Sequence, residues 1–185
     1  MSKLLLASAA ASIFLLASCA DQPISSKPSA TYASAASNPF IEANYKAADE
    51  LIALALARSA LVSDQPMIMA TVVDINVLDK SSAFGRTVSE QISARFTRRG
   101  FNMIEMKFRN SVYIKRSQGE LSLTREIADL AQTYKAQAVI VGSYSDSRDY
   151  VYVNLKIIRP ADNFVLAAYD YALPREENNQ YLLSH

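Results

Sequence analysis

Cys19 is the only cysteine of the 185-residue chain, and His185, its last residue, is the only histidine. Thiols and imidazoles carry much of nucleophilic, general-base and transition-metal chemistry, so their scarcity narrows what the chain can do. A single thiol forms no internal disulfide, and an oxidising compartment normally uses cysteines in pairs. No G-x-S-x-G, H-E-x-x-H, P-loop or dinucleotide fingerprint occurs. Gly142-Ser143 lies in an apolar run with no histidine base elsewhere in the folded part. Glu176-Glu177 sits in a polar C-terminal stretch, where burial would not tune a carboxylate. The chain is therefore expected to be no enzyme: no catalytic residue, no metal and no cofactor, with its one reactive side chain at Cys19.

The residues before Cys19 say what that thiol is for. Lys3 leads into an apolar run, from Leu4-Leu5-Leu6 to Ile13-Phe14-Leu15-Leu16, and the run ends in Ala17-Ser18-Cys19. That is the pattern of a bacterial secretory signal, and its Leu16-Ala17-Ser18-Cys19 ending resembles the lipobox of lipoprotein precursors. The run is short for a membrane span of about 20 residues. The resemblance implies diacylation of the Cys19 sulfur, cleavage after Ser18 and acylation of the new amino group. Several acyl chains, at about 0.8 kcal/mol per buried CH₂, anchor a protein far more firmly than one. Residue 20 is alanine, whereas aspartate directly after the cysteine marks inner-membrane retention in the enterobacterial pattern. The resemblance thus favours the outer membrane, with the domain facing the periplasm or the cell surface.

Loss of residues 1–18 removes one charge, Lys3, and leaves 18 basic against 18 acidic side chains. Such a balance gives no field for nucleic acid. Residues 19–37 are rich in Ser, Ala and Pro and read as a lipidated N-terminus and flexible tether. At ~3.3 Å per residue that tether reaches up to about 60 Å.

Residues 38–174 carry the patterns of a folded domain. Asn38-Pro39 predicts a helix start, with Ile41, Tyr45, Ala48, Ile52, Ala55 and Leu56 on one face, widened by Leu51 and Leu54. The helix is expected to run towards Ser63-Asp64-Gln65-Pro66. Residues 67–75 form an almost unbroken apolar run suited to a strand covered on both faces. Ser81-Ser82 precede a helix with Phe84, Val88, Ile92 and Phe96 buried, closed by Arg98-Arg99-Gly100. Residues 101–108 alternate like an edge strand. After a connection over 109–121, Ser122 can cap a helix with Leu123, Ile127, Leu130, Ala131 and Tyr134 on its stripe. Ala138 to Gly142 is a second buried strand, and Tyr150–Ile158 and Phe164–Leu173 form a hairpin. The order α-β-α-β-α-β-β-β predicts a single three-layer α/β domain on a mixed five-stranded sheet. Right-handed crossovers give the strand order second-first-third, parallel, then the fourth and fifth as an antiparallel hairpin, with helices on both faces. Residues 175–185 read as a loose polar tail.

Two surface features stand out. Arg95, Arg98 and Arg99 end the second helix, and Arg109, Lys115 and Arg116 follow in the connection. They read either as a contact for lipid phosphates or an acidic partner, or as cations favoured at a helix C-terminus and in a solvated loop; the second is the plainer reading. In the hairpin, a turn centred on Ala161-Asp162 puts Tyr150, Tyr152, Tyr169 and Tyr171 on one face. Such tyrosines serve as cross-strand pairs, at roughly 0.2 to 1 kcal/mol each, or as interface anchors.

Phe84-Gly85-Arg86 with Ser89-Glu90-Gln91, Arg95-Phe96 and Arg99-Gly100-Phe101 resembles the FlgO family of flagellar outer-membrane lipoproteins. The resemblance continues through Gly119 to Glu126, Val141-Gly142-Ser143-Tyr144, Val151 to Asn154 and Val165 to Ala168, and closes at Leu173-Pro174. It covers residues 40 to 174. Leu155-Lys156 depart from the family pattern, and Asn163 stands where glycine is usual. The resemblance implies a non-enzymatic scaffold or ring component supporting flagellar assembly, stability and motility. Its partners would be the membrane through the lipid, flagellar basal-body or other envelope proteins, and further copies of itself. The domain also resembles the α/β module of other envelope lipoproteins. The alternative is therefore activation of peptidoglycan synthesis, or service to another outer-membrane assembly machine.

Overall fold

A computed structural model describes residues 29–78, 81–104 and 125–185, with the backbone alone for Arg125 and Glu126. The signal segment, Cys19, residues 105–108, the connection 109–121, Ser122 and Leu123 lie outside the described residues. The chain divides into Met1–Thr31 and Tyr32–His185, and the second unit holds every element described below.

Helix α1 (Tyr32–Ala36) is short, and all of its residues are exposed. It falls within the stretch read as tether. Helix α2 (Pro39–Ala57) starts as the sequence predicts: Asn38 Oδ1 accepts from the Phe40 and Ile41 amides, and Pro39 takes the first position. It stops well short of Pro66. Ser59 turns at φ 50°, and the Ala60 amide donates to the Ala55 carbonyl. The buried stripe is Asn44, Ala47, Ala48, Leu51, Ile52 and Ala55; Leu54 and Leu56 are exposed. Both leucines, expected on the buried face, stand in solvent because the stripe is narrower than the apolar content of the helix.

The apolar run over 67–75 is two strands rather than one. Strand β1 (Pro66–Met69) and strand β2 (Val73–Asp74) both pair in parallel with β4 (Ala138–Asp146). Between Met69↔Ile140 and Val73↔Ser143, this side of the ladder holds one residue more than β4. Val72 leaves the ladder there, and its amide donates to Ser89 Oγ at 2.8 Å on helix α3 (Ala83–Arg98). Gly85 makes that docking possible. A Cβ at Gly85 would lie 2.1 Å from the Val72 carbonyl oxygen.

Helix α3 matches its sequence signals. Ser82 Oγ accepts from the Gly85 amide, Phe84, Val88, Ile92 and Phe96 are fully buried, and Gly100 follows at φ 90°. Strand β3 (Asn102–Ile104) pairs with β1 at the sheet edge. Helix α4 (Arg125–Thr133) buries Ile127 and Ala131, while Tyr134, expected on its stripe, is exposed just beyond its end.

Strand β4 is buried from Ala138 to Tyr144. Strands β5 (Tyr150–Arg159) and β6 (Phe164–Pro174) form the hairpin. The sheet order is β3-β1-β4-β5-β6, the order expected from the sequence, with β2 as a sixth strand beside β4. One core lies between α2, α3 and the sheet face carrying Met67, Ile140, Val153, Leu155 and Ile157. A second lies between α4 and Ile68, Val73, Val139, Val141 and Ile158 on the other face. That is the three-layer α/β arrangement. Among the described residues, no helix is long and apolar enough to cross a membrane.

The chain after Pro174, expected to be loose, forms helix α5 (Glu177–Leu183). Asn179 Nδ2 donates to the Pro174 carbonyl at 2.7 Å, and Leu182 and Leu183 reach the core beside α3. Two apolar residues and one buried asparagine in a polar stretch dock it.

Candidate functional site

The hairpin decides where the tyrosines point. Its turn is centred as expected: Arg159 pairs with Phe164, Asn163 sits at φ 60°, and Asp162 Oδ1 accepts from the Phe164 amide. A positive φ explains why glycine suits position 163, and asparagine tolerates the same region. The register then shifts between Ile157 and Ile158, leaving Leu166 as an extra residue between Val165 and Ala167. Beyond that bulge Tyr152 pairs with Ala172, Val153 with Tyr171 and Leu155 with Tyr169.

A one-residue slip turns a strand's side chains over, so the four tyrosines do not share a face. Tyr169 and Tyr171 pack on the α2 side of the sheet, with rings 6.3 Å apart. Tyr150 and Tyr152 stand exposed on the other side, also 6.3 Å apart. The consecutive burial of Leu166 and Ala167 is the mark of the bulge. Its sequence signal is Val165-Leu166-Ala167-Ala168, four apolar residues without alternation.

The inward pair is structural in its contacts. The Tyr171 hydroxyl donates to Asn44 Oδ1 on α2, and Asn44 Nδ2 donates to Gln91 Oε1 on α3 at 2.6 Å. Burial pushes the Tyr171 phenol well above its ordinary range. This link between three elements was not anticipated from the sequence.

Tyr152, but not Tyr150, lines a groove on the sheet. Its volume is about 510 Å³, and Ser145, Tyr152, Asn154, Asp170 and Ala172 contribute to its lining. Asn154 Nδ2 donates to Asp170 Oδ1. Asn154 Oδ1 is the one buried side-chain polar atom without a partner among the described residues.

The arginine cluster is mostly committed internally. Arg95 and Arg99 each grip the Asp49 carboxylate with two hydrogen bonds, of 2.6 to 2.9 Å. The hydrogen bond from Arg99, then that from Arg95, holds Asp49 well below the usual carboxylate range. Arg95 and Arg98 lie 5.3 and 5.4 Å from the Tyr45 ring centroid. Arg109, Lys115 and Arg116 lie outside the described residues. Gly142 is there for packing: a Cβ would meet Leu155 Cδ2 at 2.6 Å and Val72 Cγ2 at 2.9 Å. Among the described residues, no three His, Cys, Asp or Glu side chains group as a metal site would need.

A family model described as FlgO protein matches residues 45–178, from α2 into the first turn of α5. The chain belongs to the FlgO family. Within this FlgO domain lie the Gly85 docking point, the Asn44-neighbouring Tyr45 stack, the bulged hairpin and the open groove. No curated protein sequence matches the chain significantly. Among solved structures, the LpoB C-terminal domain from Salmonella enterica is similar, with a TM-score of 0.51 at 11% identity. That alignment covers 70% of this chain and 97% of that one. The LpoB C-terminal domain from Escherichia coli gives the same TM-score and identity over 73% and 98%. At such identity the likeness is one of fold.

Proposed function

We propose that this FlgO-family chain is a non-enzymatic outer-membrane lipoprotein of the flagellar apparatus, a scaffold or ring component that supports flagellar assembly, stability and motility. The observation that carries this reading is the family match over residues 45–178. Two others support it. The Leu16-Ala17-Ser18-Cys19 ending resembles a lipobox and so suits a lipid anchor at Cys19, and the sequence holds one cysteine and one histidine, the latter at position 185. The output of such a protein passes through contacts with the flagellar basal body, other envelope proteins or further copies of itself. The tether lets the domain reach those partners from the membrane, and the lipid raises their effective concentration.

Deleting the gene should reduce swimming, or leave fewer or less stable flagella, with growth and cell shape normal. A Cys19→Ser form should restore motility poorly. A fold does not choose among functions, so the alternative, activation of peptidoglycan synthesis or help to another assembly machine, has its own outcome. Normal swimming with altered cell-wall cross-linking or shape would favour it.

A further inference from the structure

Strand β6 is the last strand of the sheet, and half of its backbone groups point away from β5. The parity follows from two hydrogen bonds. The Arg175 amide donates to the Asp149 carbonyl at 2.8 Å and the Ser147 amide to the Tyr150 carbonyl at 3.0 Å, extending the two ladders of β5. Leu173, Tyr171, Tyr169 and Ala167 therefore bond to β5, while Pro174, Ala172, Asp170 and Ala168 face outward.

Both ends of that outward row are closed. Pro174 has no N–H, and its carbonyl accepts from Asn179. At the bulge, the Leu166 carbonyl accepts from Arg58 Nη1 at 3.4 Å. Between them Ala168, Asp170 and Ala172 offer three amides and three carbonyls, and none has a partner among the described residues. All three residues are exposed. An edge capped at both ends and open in the middle is a short template for strand addition.

The side chains along the window choose its occupant. Ala168 and Ala172 are small and leave room for a neighbouring strand, with Asp170 between them beside the groove at Tyr152 and Asn154. No ion pair to Asp170 is formed among the described residues. Two copies joined antiparallel across this window would set Asp170 against Asp170, and like charges directly opposite repel. Sliding the register by one pair runs one strand into Pro174 or into the bulge. We propose that the β6 edge over residues 168–172 binds an extended segment of a partner protein, carrying lysine or arginine opposite Asp170. This gives the scaffold reading its contact surface and rests on that reading only for biological context.

The test uses the full-length lipidated chain in detergent and the labelled peptide Thr-Val-Thr-Lys-Thr-Val-Thr, with a version carrying Glu for Lys. The lysine peptide should bind about tenfold more tightly than the glutamate peptide. It should slow amide exchange at Ala168, Asp170 and Ala172, which exchange fast in the free chain while Tyr169 and Tyr171 are protected. Asp170→Lys should invert the preference, and Ala172→Pro should abolish binding of both peptides with melting little changed. Absence of binding overturns the proposal. So does binding that leaves the three amides unprotected, a preference unmoved by Asp170→Lys, or dimerisation through this edge. None of these readouts involves flagella, so their failure is distinguishable from failure of the flagellar reading.

Discussion

The Tyr171 hydroxyl donates to Asn44 Oδ1 across 127 residues of sequence, and through Asn44 it ties β6 to both α2 and α3. Asn44 is fully buried, so its amide depends on these two partners.

Tyr171→Phe leaves Asn44 Oδ1 without its donor in the core. Chemical denaturation should show a loss of about 1–3 kcal/mol, with the fold retained by circular dichroism. The ionisation of Tyr171 supplies an independent check. Its folded-state pKa is raised by burial above the ordinary 10.0. The stability it contributes is therefore complete below pH 10.0 and lost as pH rises further. Ultraviolet titration should show one tyrosine that ionises only as the chain unfolds, absent in Tyr171→Phe.

Gly85→Ala tests the docking of α3 on the broken first strand. The added Cβ would fall 2.1 Å from the Val72 carbonyl oxygen, a backbone atom that cannot swing aside. Thermal unfolding should show destabilisation of at least the ~1–3 kcal/mol typical of overpacking.

Asp49→Asn removes the carboxylate that Arg95 and Arg99 share. All three side chains are partly exposed, so the expected cost is about 1 kcal/mol. The folded-state pKa of Asp49 is depressed, by Arg99 and then Arg95. Its contribution is thus present above the ordinary value of 3.8 and fades as pH falls below it. Stability differences between wild type and Asp49→Asn, measured from pH 7 down to acid, should shrink in that order.

At the hairpin turn, Asn163→Gly should leave stability unchanged or slightly raised. Asn163→Val should lower it by about 1–2 kcal/mol, the strain of a left-handed conformation in an L-residue at φ 60°. Paired melting curves of the two variants check this.

Periodicity made the helices and strand order legible. Phe84, Val88, Ile92 and Phe96 are spaced as a buried helix stripe and are all buried, and the buried run from Ala138 reads directly as a central strand. Register was less visible. Where Leu166 adds one residue, the pairing moves by one and Tyr169 and Tyr171 turn into the core, although the turn itself lies where expected. The only local mark of the bulge is the lost alternation over Val165-Leu166-Ala167-Ala168, and which residue becomes the extra one depends on packing in the core shared with α2. The break at Val72 is of the same kind, since Ser89 and Gly85 that cause it lie on a different element. Helix α5 hid behind polar neighbours because only Leu182, Leu183 and the buried polar Asn179 dock it, too few apolar positions to show a stripe.

Lipidation of Cys19 should be visible directly. Wild type should take up labelled palmitate and fractionate with the outer membrane, while Cys19→Ser should do neither and remain uncleaved or soluble in the periplasm. Unchanged acylation and fractionation in that variant would exclude Cys19 as the anchor.

The most direct measure of the flagellar reading is the amount of lipidated chain that copurifies with isolated flagellar basal bodies. A stoichiometric signal is predicted in wild-type cells, falling to background in cells without flagella, where the chain spreads through the outer membrane. Equal distribution in both strains, with none retained on the basal bodies, would contradict it.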